Sequence, residues 1–283
     1  RSYTATDGTG NGTLVITFTC AANATAMKNV SIGTGGVQAV GPACPSGSVS
    51  VYHGVLPSDI SSLVAWYDAN DVSTITTGSD DLVSQWSDKS GEDNHAYQST
   101  ENNKPKYFAS GGGIGEAHIR WGISDSYERL QTTKSINWLK LSAGGKVNAS
   151  FFVVFHWPGA GGSSYGSNIL RMGGGSGATN TLHVSIDTGG TMMWHGSSNM
   201  ATGGTDSTAL PDKVLGGWFW TDSGFVTRIN GAVDDTDSTD TGTTERTQVF
   251  RFGGLDGSRW TDLEISEILA FNTELTGSDL TAM

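Results

Sequence analysis

Asn148-Ala149-Ser150-Phe151-Phe152-Val153-Val154-Phe155-His156-Trp157 carries large apolar residues in both phases of a period-two pattern. Phe151, Val153 and Phe155 would face one side of a strand, and Phe152 and Val154 the other. A strand that is greasy on both faces belongs in the middle of a sheet, covered on each side. The stretch therefore predicts a central strand of a layered β protein.

Strand-like runs recur on both sides of it. They are Leu63–Tyr67, Leu82–Trp86 and His118–Trp121 before it. After it come Asn168–Met172, Thr181–Ile186, Thr191–His195, Gly217–Trp220, Phe225–Ile229, Gln248–Phe252 and Leu263–Phe271. Gly- and Ser-rich turns separate them, the signature of an antiparallel two-sheet jelly-roll sandwich. Asn230-Gly231, between Phe225–Ile229 and Ala232-Val233, is a hairpin signal, because both turn positions need positive φ. The Gly-rich stretches 159–166 and 173–177 precede no helix, so they read as loops and not as phosphate cradles.

Residues 1–58 read as a small β unit apart from a sandwich over 59–283. Leu14, Ile16 and Phe18 alternate with Thr17 and Thr19, and Val49, Val51 and His53 form a second alternating run. A Cys20–Cys44 disulfide would tie the first run to the turn at 42–47 and add roughly 3 kcal/mol to a small core. The alternative is two free thiols in a reducing compartment. Leu56-Pro57-Ser58-Asp59-Ile60 reads as a connector with one helical turn.

Composition narrows the function classes. The 283 residues hold 40 Gly but only 6 Pro, and 28 acidic against 16 basic residues give a net charge of −12. Such a surface repels phosphate backbones, so nucleic acid is not an expected partner. No apolar run reaches 18 residues, so membrane insertion is not expected either. The nine Trp and ten Phe argue for a packed core and against disorder. Arg1, not Met, opens the sequence, as in a processed form or a fragment.

Several motifs carry a resemblance. Leu63-Val64-Ala65-Trp66-Tyr67-Asp68-Ala69-Asn70-Asp71 is followed by Val83-Ser84-Gln85-Trp86-Ser87-Asp88-Lys89-Ser90-Gly91 and Asn94-His95-Ala96. Later come Pro105, Tyr107 and Ser124-Asp125-Ser126-Tyr127-Glu128-Arg129-Leu130, then Asn230-Gly231. Ile265-Ser266-Glu267-Ile268-Leu269-Ala270-Phe271-Asn272 and Leu275-Thr276-Gly277-Ser278-Asp279-Leu280 close the chain. In this order, over residues 63–283, they resemble the laminin-G-like, concanavalin A-like lectin/glucanase domains of bacterial and phage surface or structural proteins. Where that family has Phe-Asp-Gly, this chain has Trp121-Gly122-Ile123. The resemblance implies a lectin-like sandwich. It does not choose among the functions that fold carries.

Sandwich-fold glucanases of the same superfamily place Glu-x-Asp-x-(x)-Glu on one strand face. Asp262-Leu263-Glu264-Ile265-Ser266-Glu267 is similar, with the order inverted. Residues 262 and 264 share a face, but 267 falls on the other unless a bulge intervenes. On the family's terminal strand such a Glu is structural, so no catalytic residue is expected. The six histidines show no metal-ligand spacing. No cofactor is expected beyond Ca²⁺, for which Asp234, Asp235, Asp237 and Asp240, or Asp68 and Asp71, offer oxygens.

Sugar rings stack on Trp and Tyr faces while neighbouring amides bond their hydroxyls. Trp157 and Tyr165 flank the 159–166 loop, and Trp194 and Trp260 stand near strand ends, so these four are the expected binding residues. Trp66, Trp86, Trp218 and Trp220 are expected in the core. The sequence thus predicts a non-enzymatic adhesive or structural protein, extracellular or on a virion surface. It would be a virion decoration, fibre or filament subunit that joins other subunits through residues 1–58 and meets a cell-surface glycan. The alternative is a glycan-binding module of a larger secreted enzyme or adhesin, with a glycoside hydrolase or lyase behind it.

Overall fold

The structure is a computed structural model. It describes residues 2–7, 13–19, 47–52, 57–122, 128–158, 167–172, 182–186, 192–195, 200–202, 210, 212–238, 246–254 and 262–282. Cys20 and Cys44 lie outside them, and with them the expected disulfide. The chain divides into two compact units, Arg1–Asp59 with Thr281–Met283, and Ile60–Leu280.

The first unit holds an antiparallel three-stranded sheet in the order β1 (Ser2–Asp7), β2 (Thr13–Thr19), β3 (Gly47–Tyr52). The two alternating runs of the sequence pair directly, with Ile16 opposite Val49 and Leu14 opposite Val51.

The second unit is all-β, two antiparallel sheets packed as a sandwich. One contains β5 (Ile75–Thr77), β6 (Val83–Trp86), β7 (Ala96–Tyr97), β10 (Arg129–Thr132) and β21 (Phe250–Gly253). It continues through β13 (Ser167–Met172), β14 (Leu182–Ile186), β15 (Met192–His195) and β16 (Met200–Thr202), nine strands in that spatial order. The other runs β19 (Ala232–Asp237), β18 (Gly224–Ile229), β17 (Val214–Thr221), β12 (Val147–His156), β22 (Leu263–Phe271), β9 (His118–Trp121) and β8 (Lys106–Phe108). Three more strands complete its ten: β4 (Leu63–Asp68) pairs β22, and β11 (Ile136–Leu141) pairs both β12 and β20 (Arg246–Gln248). The chain passes repeatedly from one sheet to the other, as jelly rolls do.

β12 is central as its pattern demands, flanked by β17 on one side and β22 on the other. In β4 burial alternates, Leu63, Ala65 and Tyr67 inward against Val64, Trp66 and Asp68 outward. Tyr67 reaches across the sandwich to Trp86 (5.4 Å between centroids) and Phe252 (5.0 Å). At the other end Trp138 packs edge-on to Trp220 and Phe250, and its indole N–H donates to the Phe271 carbonyl at 2.9 Å. Each fully buried aromatic of this size hides 150–250 Å² and dominates the core. The sequence reading missed β11 because a register shift between Asn137 and Leu139 breaks its alternation and buries both Trp138 and Leu139.

Among the described residues no helix is long and apolar enough to cross a membrane. The expected turn at the connector is a short 3₁₀ helix, Pro57–Asp59, and the one α-helix among the described residues is Gly277–Ala282.

Candidate functional site

β22 contains a bulge. Val154 lies opposite Glu267 and Phe155 opposite Ile265, which leaves Ser266 as the extra residue. Val154 and His156 share a face of β12, and their partners are Glu267 and Glu264. The bulge therefore puts both glutamates on one face, the outer face of the ten-stranded sheet. Asp68 of β4 stands opposite Glu267, and Arg120 of β9 opposite Glu264, adding to the same row. Ser266 is fixed in place: its carbonyl accepts from the Ala69 N–H (2.8 Å) and its hydroxyl from Asn70 Nδ2 (3.0 Å).

Glu264 is the centre of the row. Its side chain is only 2% exposed, a costly position for a carboxylate unless it is fully bonded. Its Oε2 accepts from the backbone N–H groups of Gly113 (2.9 Å) and Ile114 (3.2 Å) and pairs with His156 Nδ1 at 2.9 Å. Arg120 Nη1 is 3.7 Å and His118 Nε2 4.0 Å from Oε1. Burial pushes this carboxyl up, but the His156 bond, the Ile114 amide and the two histidines outweigh it and hold Glu264 below the ordinary range. The capping loop needs its glycines. A Cβ on Gly112, whose φ is +63°, would overlap the Glu264 carboxylate, and one on Gly113 would overlap the His156 ring.

Around Glu264 lies a more open rim. Asp262 and Arg120 meet at 3.5 Å, each about a third exposed, and burial raises the Asp262 carboxyl against the pull of Arg120. His156 is half-buried, with Nδ1 held by Glu264, so Nε2 is its remaining polar atom. Farther along, burial raises Glu267, although Trp66 Nε1 donates to it at 2.8 Å. A carboxylate-oriented imidazole beside a guanidinium–carboxylate pair can donate to and accept from a polar ligand in fixed directions.

Of the four aromatics expected to bind, only Trp157 has its side chain among the described residues. Trp157 is half-buried against the core, and its Nε1 is buried without a hydrogen-bond partner among those residues. Tyr165 and Trp260 lie outside the described residues, as does the side chain of Trp194, whose backbone in β15 pairs with Val184. Trp86, Trp218 and Trp220 are core residues as expected. Trp66 is not: it sits on the outer face of β4, with the Lys89 ammonium 4.3 Å from its ring centroid. That ammonium also stands 2.8 Å from Asp68 and 3.1 Å from Asp71, in the place considered for Ca²⁺. Asp234, Asp235 and Asp237 belong to the edge strand β19 and not to a loop, while Asp240 lies outside the described residues. Among the described residues no three His, Cys, Asp or Glu are grouped to hold a metal.

No family model and no curated protein matches the sequence. Among solved structures, the receptor binding domain of botulinum neurotoxin D is similar at 14% identity, TM-score 0.51, over 78% of this chain and 51% of that one. The likeness is one of fold. The binding domain of botulinum neurotoxin DC, in complex with rat synaptotagmin II, gives 11%, 0.50, 80% and 51%. A Trypanosoma rangeli sialidase gives 13% and 0.46 over 91% of this chain and 35% of that one. The chain thus spans about a third of the sialidase and half of the toxin domains. The expectation of a non-enzymatic protein is corrected here, because structures similar to this chain include sialidases, which are enzymes. The bulge in β22 also removes the geometric ground for it, since Glu264 and Glu267 do share a face.

Proposed function

We propose that the chain is an adhesive surface module whose sandwich recognises a glycan at the rim of Arg120, Asp262 and His156. The Glu264 network carries the reading. It holds charged, planar hydrogen-bonding groups in a preset geometry at the surface, so little ordering cost remains when hydroxyls bind. Arg120 Nε is buried with no acceptor among the described residues, a donor that a ligand oxygen or a water would satisfy. Receptor binding is also the role of the botulinum neurotoxin D domain of the same fold.

In this reading residues 63–283 are a laminin-G-like domain outside the cell. The unit at the N-terminus, compact by itself, joins it to the other subunits of a virion, fibre or surface filament. The test is a glycan array probed with the full chain, Arg120→Ala and Asp262→Asn. Binding to a defined glycan class that drops about tenfold or more in each variant is expected, since hydrogen bonds to charged groups are worth ~1.5–3 kcal/mol. An array without hits, or hits indifferent to both changes, overturns the reading.

A further inference from the structure

We propose that a cavity in the sandwich unit, away from the β22 row, binds a sugar ring that carries a carboxylate or a sulfate. The cavity measures about 450 Å³, within the ~300–1,000 Å³ of small-molecule sites. It opens between the start of β4, the turn at residues 92–94, β11 and Asn272 just after β22. Leu63 and Ile136, both buried, give it an apolar floor.

Its walls are unusual for this protein. Acids outnumber bases 28 to 16 in the chain, yet Lys134 and Lys140 both line this cavity against a single carboxylate, Glu92. Lys134 is 3.8 Å from Asp93 and 56% exposed, so that pair is a weak surface contact and leaves the ammonium available. Lys140, half-buried, makes no ion pair among the described residues. Lys134 thus has Asp93 beside it, while Lys140 has no carboxylate of its own among those residues and leaves room for one more negative charge.

Amides complete the chemistry. Asn94 is 7% exposed and locked: its Nδ2 donates to the Val64 carbonyl at 2.7 Å, its N–H to Asp88 at 3.0 Å, and its carbonyl accepts from the Tyr67 hydroxyl. The Asn272 N–H donates to the Ser62 carbonyl at 2.9 Å, and Asn137 is exposed on β11. Preset amides suit hydroxyls, and the lysines suit an anion. A neutral sugar would leave the half-buried Lys140 ammonium partly desolvated without a counter-charge, and a bare anion would leave the amides unused.

Calorimetric titration of the full chain with D-glucuronic acid, glucose 6-sulfate and D-glucose tests the assignment. At least one acidic sugar binds, and glucose binds about tenfold more weakly or less. Which acidic sugar wins identifies the anion. Lys134→Ala/Lys140→Ala cuts acidic-sugar affinity about tenfold or more, and Lys134→Arg/Lys140→Arg keeps it within about threefold. The proposal is overturned if neither acidic sugar binds, if glucose binds equally, or if the alanine pair changes nothing. The two sites share no residue. Array hits lost with Asp262→Asn therefore report on the first reading, and acidic-sugar affinity lost with the lysine pair reports on this one.

Discussion

Glu264 and Glu267 stand on one strand face yet their environments move them in opposite directions. Glu264 is held below its ordinary range, so the stability it contributes is full above the unfolded carboxyl range, about 4.3, and is lost as pH falls through its folded value. Glu267 is raised, so its buried charge costs stability at neutral pH, and that cost shrinks as pH falls from its folded value towards ~4.3. Glu264→Ala would leave the His156 ring and two backbone N–H groups without their acceptor, and Arg120 with Asp262 alone. A loss of about 3 kcal/mol in urea unfolding at pH 7, followed by tryptophan fluorescence, is expected. Glu267→Gln keeps an acceptor for Trp66 and removes the buried charge. Its urea midpoint should exceed the parent's at pH 7 and converge with it towards pH 4; a lower midpoint at pH 7 contradicts this account. Gly113→Ala, with no room for its methyl beside His156, should cost roughly 1–3 kcal/mol in the same assay.

At the scale of elements, the device that matters is the single extra residue of β22. Deleting Ser266 would restore strict alternation and send one end of the strand to the wrong face, Glu264 or Glu267 into the core among them. Loss of the near-ultraviolet circular dichroism of the packed aromatics is the expected result, and a native-like spectrum would contradict it. The β18–β19 hairpin shows the opposite case, where local chemistry suffices. Asn230 and Gly231 sit at φ +50° and +83°, as the sequence pair predicts, and Asn230 Oδ1 accepts from the Leu215 N–H at 2.8 Å. Gly231→Ala should therefore cost about 1 kcal/mol, read as a lower thermal midpoint.

At the scale of the whole molecule, the aromatic core of the sandwich comes from residues 65–271, all inside the unit Ile60–Leu280. That unit should not need the N-terminal sheet for its own cooperativity. A chain shortened to residues 57–283 is expected to keep the tryptophan-reported thermal midpoint within about 3 °C, a change of ~1 kcal/mol or less for a domain of this size. A fall well beyond that would show that the two units stabilise each other.

The strand at Leu63–Tyr67, the two-faced apolar run of β12, the Asn-Gly hairpin and the alternating runs of the N-terminal sheet were legible in the sequence, because each depends on neighbours one or two residues apart. The acid run at 262–267 was legible as a run but not as a row. Whether Glu267 joins Glu264 depends on how β22 pairs with β12, over a hundred residues earlier, and only that pairing creates the bulge. Trp66 looked like core for the same reason: residue type announces hydrophobicity, but the face it occupies is set by register against β22. The approach of Gly113 to Glu264 and the meeting of Lys134 with Lys140 at one cavity are likewise contacts between distant segments. Tertiary packing decides them, since burial and charge pairing act through space and leave no period along the chain.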